Sequence, residues 1–117
     1  MKLYIYKGCD SCRKAIKWLR AREISFEEIP IREIPPSLKE LKKMLVHYDG
    51  DIRRLFNTAG GDYRELNLKE TLPGMPEAKA LLLLSERGNL VKRPFLLGDS
   101  FGLVGFKEEI WADKLGE

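Results

Sequence analysis

Lys2-Leu3-Tyr4-Ile5-Tyr6-Lys7-Gly8-Cys9-Asp10-Ser11-Cys12-Arg13 is the stretch that decides the architecture of this 117-residue chain. Lys2 to Tyr6 alternates in strand fashion and halts at Lys7-Gly8. From about Cys12 to Arg22 the pattern turns helical: Cys12, Ala15, Ile16 and Leu19 form one apolar stripe, with Lys14, Lys17 and Arg20 elsewhere. A Cys-x-x-Cys pair between a strand and a helix is the arrangement of a dithiol redox site. The helix start leaves backbone N–H groups unpaired and carries the positive end of the dipole, which favours the thiolate of Cys9. Cys12 follows about one turn later, close enough to attack a mixed disulfide formed at Cys9. Arg13 and Lys14 add positive charge and Asp10 opposes them. Cys9 is thus expected to be the nucleophile and Cys12 the resolving thiol.

Other uses of the pair fit less well. Zinc takes four ligands, and beyond two cysteines the chain offers one histidine, His47, distant in sequence. A permanent disulfide belongs to oxidising compartments, whereas Met1-Lys2 leads at once into a strand with no secretory signal. A cytoplasmic protein with no bound metal is expected, and inert structural thiols are the competing reading. A net charge of +3 with dispersed lysines and arginines argues against direct nucleic-acid binding. No apolar run approaches the length of a membrane span. The length suits one domain over residues 1–117, expected to act as a monomer.

Outward from the motif, Ser25 to Ile29 alternates again as a second strand and ends at Pro30. A strand, a helix and a second strand imply a right-handed crossover and parallel pairing. Trp18, off the helix stripe, is expected to pack against a neighbouring segment. Ile34-Pro35-Pro36-Ser37 is a stop and a cap, with Ser37 and Glu40 spaced as a capping box. The helix that follows places Leu38, Leu41, Leu45 and Tyr48 on one face and His47 at a solvent-exposed end. Asp51 is placed to cap a short helix through Phe56. Tyr63 to Leu68 reads as one or two further turns, Thr71 to Gly74 as a turn, and Glu77 to Ser85 as a helix opened by Pro76, with a buried strand as the alternative for the apolar run Leu81 to Leu84. Arg87-Gly88-Asn89 is a turn, and Pro94–Leu97 and Phe101–Val104 form a hairpin across Gly98-Asp99-Ser100. Lys107 to Leu115 closes the chain as an amphipathic helix with Ile110, Trp111 and Leu115 inward. The fold class is α/β: a thioredoxin-like four-stranded mixed sheet. A helical insertion at about residues 37–85 separates the N-terminal β-α-β unit from the C-terminal β-hairpin and helix.

Four stretches also carry a family resemblance: Lys7 to Ala15, Leu55 to Gly60, Tyr63 to Leu66, and Lys92-Arg93-Pro94 with Val104 to Glu109. They resemble the arsenate reductase-related (ArsC/Spx/YffB-like) thioredoxin-fold family in its Cys-x-x-Cys branch. The resemblance implies that Cys9 is the family's nucleophile, that Arg93 and an arginine early in the insertion bind an oxyanion, and that Pro94 is held cis. Arg53 is the best match for the insertion arginine and Arg54 the alternative; Arg13 joins the candidate substrate-binding set. The planar guanidinium fork suits an oxyanion. Two departures bear on substrate. Arsenate-reducing members lack a partner equivalent to Cys12, and they carry a third arginine after the third strand, whereas Asp99 to Phe106 contains none.

The reading is a thiol–disulfide oxidoreductase regenerated by glutathione, glutaredoxin or thioredoxin. The alternatives are an Spx-type redox-sensing regulator that binds the RNA polymerase α subunit, and a true arsenate reductase.

Overall fold

Leu3 and Ile5 point to one side of a sheet and Tyr4 to the other, and the molecule is built on that division. The computed structural model describes residues 1–116. Its mixed sheet has the order β2-β1-β3-β4, formed by β1 (Lys2–Ile5), β2 (Glu27–Pro30), β3 (Phe95–Leu97) and β4 (Gly102–Val104). β1 and β2 run parallel through the crossover helix α1 (Asp10–Ala21), and β3 is antiparallel to both β1 and β4. The expected four-stranded α/β sheet is present, with each strand one residue shorter than the sequence pattern indicated and β2 running on through Pro30.

One face carries Leu3, Ile5, Leu96 and Leu103, covered by α1 and the C-terminal helix α6 (Glu108–Leu115). Trp18 is buried there, edge-on to Trp111 at 6.1 Å and to Phe106 at 6.2 Å. The other face carries Tyr4, Ile29, Phe95 and Leu97 beneath the insertion. That insertion comprises α2 (Leu38–His47), α3 (Gly61–Glu65), α4 (Leu68–Thr71) and α5 (Glu77–Glu86), with short 3₁₀ turns between them. Glu77–Glu86 is a helix rather than a buried strand, with Ala80, Leu81 and Leu84 buried.

The capping box forms in full. Glu40 N–H donates to Ser37 Oγ at 3.2 Å, and Glu40 Oε1 accepts from Ser37 N–H at 3.0 Å. The same carboxylate accepts from Tyr4 Oη at 2.7 Å and Lys2 Nζ at 3.1 Å, tying α2 to β1. Burial works against this carboxylate, but Ser37 N–H, the Tyr4 hydroxyl and Lys2 outweigh it and hold the Glu40 pKa below the usual range. Tyr4 is pushed well above its usual value, first by burial and then by Glu40.

Three local expectations fail for physical reasons. Leu38 is exposed, because Glu40 rather than Leu38 turns toward β1 from the first turn of α2. Ile110 is exposed, because its neighbour Trp111 takes the buried stripe and adjacent helical residues lie about 100° apart. Asp51 occupies the cap position of the 3₁₀ turn Ile52–Leu55, yet its side chain makes no capping hydrogen bond. His47 is exposed at the end of α2, as its position indicated. Among the described residues, no helix is long and apolar enough to cross a membrane.

Candidate active site

Tyr6 O accepts from Cys9 N–H at 3.0 Å, turning the chain off β1 so that Cys9 becomes the N-cap of α1. Its sulfur takes the capping role that serine or aspartate fills elsewhere: Cys12 N–H donates to Cys9 Sγ at 3.3 Å. The two thiols are free and unequal. Cys9 is half-buried, whereas Cys12 is only 1% exposed within the α1-side core. Burial pushes the Cys12 thiol up to about 12; a backbone hydrogen bond from Tyr6 opposes this, the Cys9 hydrogen bond and charge reinforce it, and the Arg93 charge pulls it down.

The Arg93–Pro94 peptide bond is cis, as the resemblance implies. Arg93 lies over the Tyr6 ring at 5.1 Å, and its Nη1 is buried with no hydrogen-bond partner. Buried donors without partners are rare in folded proteins. Arg93 is also among the walls of a cleft of about 330 Å³, with Ser11, Tyr48, Arg54, Lys92 and Lys107. No aspartate or glutamate is among the lining residues, so the cleft is a concentration of donors; it reaches the dithiol motif at Ser11, and neither cysteine is among its walls.

The walls meet because the insertion is stitched to the approach to β3. Asn57 N–H donates to Leu90 O at 2.7 Å, Lys92 N–H donates to Leu55 O at 2.8 Å, and Phe56 bridges Val91. Both adjacent arginines are exposed, but Arg54 lines the cleft and lies 4.9 Å over the Tyr48 ring, while Arg53 is not a lining residue. Tyr48 Oη accepts from Val104 N–H at 2.8 Å, which leaves its own proton to donate. Arg13 stands apart, bonded to Lys7 O at 2.8 Å and paired with Asp10.

Lys92, Lys107 and Tyr48 escaped the sequence reading. Lys107 lies one residue beyond the stretch found to lack an arginine, and Lys92 directly precedes Arg93; only the folded chain turns their side chains into one cleft. Among the described residues, no three His, Cys, Asp or Glu side chains gather to hold a metal ion.

The ArsC family model matches residues 4–113, nearly the whole chain. This protein belongs to the ArsC family. It is 45% identical to the uncharacterized Bacillus subtilis protein YusI over 93% of this chain and 92% of that one. It is 32% identical to the global transcriptional regulator Spx of Enterococcus faecalis, over 93% of this chain and 81% of that protein. An ArsC family related protein of Bacteroides fragilis superposes with a TM-score of 0.90 at 38% identity, covering 96% and 94% of the two chains.

Proposed function

We propose that this ArsC family member is a cytoplasmic thiol–disulfide oxidoreductase. The observation that supports it most is the inequality of the two thiols: one caps a helix beside a cationic cleft, and the other is buried one turn behind it. The Cys9 thiolate attacks one sulfur of a disulfide, forming a mixed disulfide and expelling the other sulfur as a thiolate. Cys12, once deprotonated, attacks Cys9 Sγ and releases the second thiol, leaving a Cys9–Cys12 disulfide. Glutathione, glutaredoxin or thioredoxin then returns two electrons. Arg93 and Arg54, with Lys92 and Lys107, neutralise negative charge on the substrate.

Arsenate is a poorer fit. The third arginine is absent, and lysine offers a point charge where guanidinium offers a planar fork. Losing one charge-assisted donor at an oxyanion commonly costs on the order of a hundredfold in rate. The expected result is reduction of a small disulfide that requires both cysteines, with little arsenate turnover in the presence of glutathione and glutaredoxin. Robust arsenate turnover that survives Cys12→Ser would reject this reading.

The similarity to Spx supports a second reading, a redox-sensing regulator that contacts the RNA polymerase α subunit. A pull-down on the C-terminal domain of that subunit, with oxidised and reduced protein, separates the two.

A further inference from the structure

β2 is a poor roof for its neighbouring helix. Its register with β1 sets Glu28 beside Leu3 and Pro30 beside Ile5, so both share the face on which α1 packs. A carboxylate and a proline give α1 little apolar surface to close on. A groove of about 730 Å³ remains between α1 and this edge strand, with Ile5, Ile16 and the buried Cys12 among its walls.

Its rim is cationic. Lys7 and Arg13 stand at the dithiol end, and Lys17 and Arg20 continue along α1. Positions 13, 17 and 20 fall on one helical stripe, about 10 Å from end to end at 1.5 Å per residue. Glu28 is the single acidic lining residue, 3.8 Å from Arg20. A solvated helix face would carry such charges over water. Here they overhang an apolar groove that touches the resolving thiol.

Given the oxidoreductase reading, we propose that this groove docks an acidic segment of the protein with which the dithiol exchanges disulfides, with an apolar side chain seated on Ile5 and Ile16. The charge is complementary to such a segment. The length of the stripe exceeds an inorganic oxyanion or a single carboxylate, and the apolar wall gives a small anion nothing to contact. The cleft on the Ser11 side takes charge next to the reacting sulfur; the groove takes chain beyond it.

The test uses two peptides of equal length, each carrying a thionitrobenzoate mixed disulfide. One is rich in glutamate with a neighbouring leucine, and the other has lysine in place of glutamate. Wild-type protein should react about tenfold faster with the acidic peptide at low salt, the ratio shrinking toward one as salt rises. Lys17→Glu/Arg20→Ser should abolish the preference while keeping its rate with a neutral small disulfide, whereas Lys69→Ser, exposed on α4 and outside both the cleft and the groove, should retain it. A preference intact in the double variant, or lost in Lys69→Ser, overturns the proposal, as does a wild-type ratio of one at low salt. If the double variant does not fold, Lys17→Ser alone should lower the ratio, and an unchanged ratio overturns the proposal. Wild-type protein that reduces neither peptide nor the small disulfide sinks the oxidoreductase reading instead.

Discussion

Cys9 and Cys12 differ in access, and burial raises the proton affinity of Cys12; both features can be measured. Near neutral pH, iodoacetamide should modify Cys9 and leave Cys12 unlabelled until the protein is unfolded, as read by peptide mass mapping. Resolution of a mixed disulfide requires the Cys12 proton to leave, and burial holds that thiol at about 12. The resolution rate should therefore climb about tenfold per pH unit from neutral into the alkaline range. A flat profile would mean that Cys12 is not the attacking group. Tyr48 carries a separable pair of duties. Tyr48→Phe removes the acceptor of Val104 N–H at a cost of about 1 kcal/mol. Tyr48→Leu also releases Arg54 from its ring. The leucine variant, which loses the ring as well as the hydroxyl, should raise the KM for an anionic disulfide such as oxidised glutathione more than the phenylalanine variant does.

The element scale tests how β2 meets the approach to β3. A Cβ added at Gly88 would lie 1.8 Å from Ile31 O and 2.6 Å from its carbonyl carbon. Two backbones touch there, so Gly88→Ala should destabilise by roughly 3 kcal/mol in urea unfolding. Gly74→Ala, with no heavy atom within 4 Å of the new carbon, should be close to neutral. Elements with strong periodicity or chemistry of their own were legible in the sequence: β1, the cysteine pair at the start of α1, the Ser37–Glu40 box and α5. The cleft was legible at Arg93 and, as the alternative to Arg53, at Arg54. A four-residue 3₁₀ turn is too short for periodicity to choose between Arg53 and Arg54, and nothing local relates Lys107 to Lys92. In α6, hydrophobicity alone favoured both Ile110 and Trp111, whereas the folded helix buries Trp111 and leaves Ile110 exposed.

At the scale of the whole molecule, the Glu40 carboxylate fastens the insertion to the sheet. Its folded pKa is depressed, so its contribution to stability is full above the ordinary carboxylate value of about 4.3 and is lost as pH falls through the folded value. Glu40→Gln should lower stability near neutral pH by about 1 kcal/mol. In melts taken stepwise to acid pH, the gap from wild type should close as pH falls through the folded value. A gap independent of pH would assign the effect to packing instead. The stitch at Phe56 and Val91 has a wider consequence. Because Asn57 and Leu90 are hydrogen-bonded neighbours, residues 57–90 leave and return through one doorway. Inside, that stretch is held by the buried Tyr63, Leu68, Leu81 and Leu84, so its freedom lies on the outside. Turns on its outer side can be lengthened, trimmed or replaced at small entropic expense, while Arg54 and Arg93, on the near side of the doorway, keep their places.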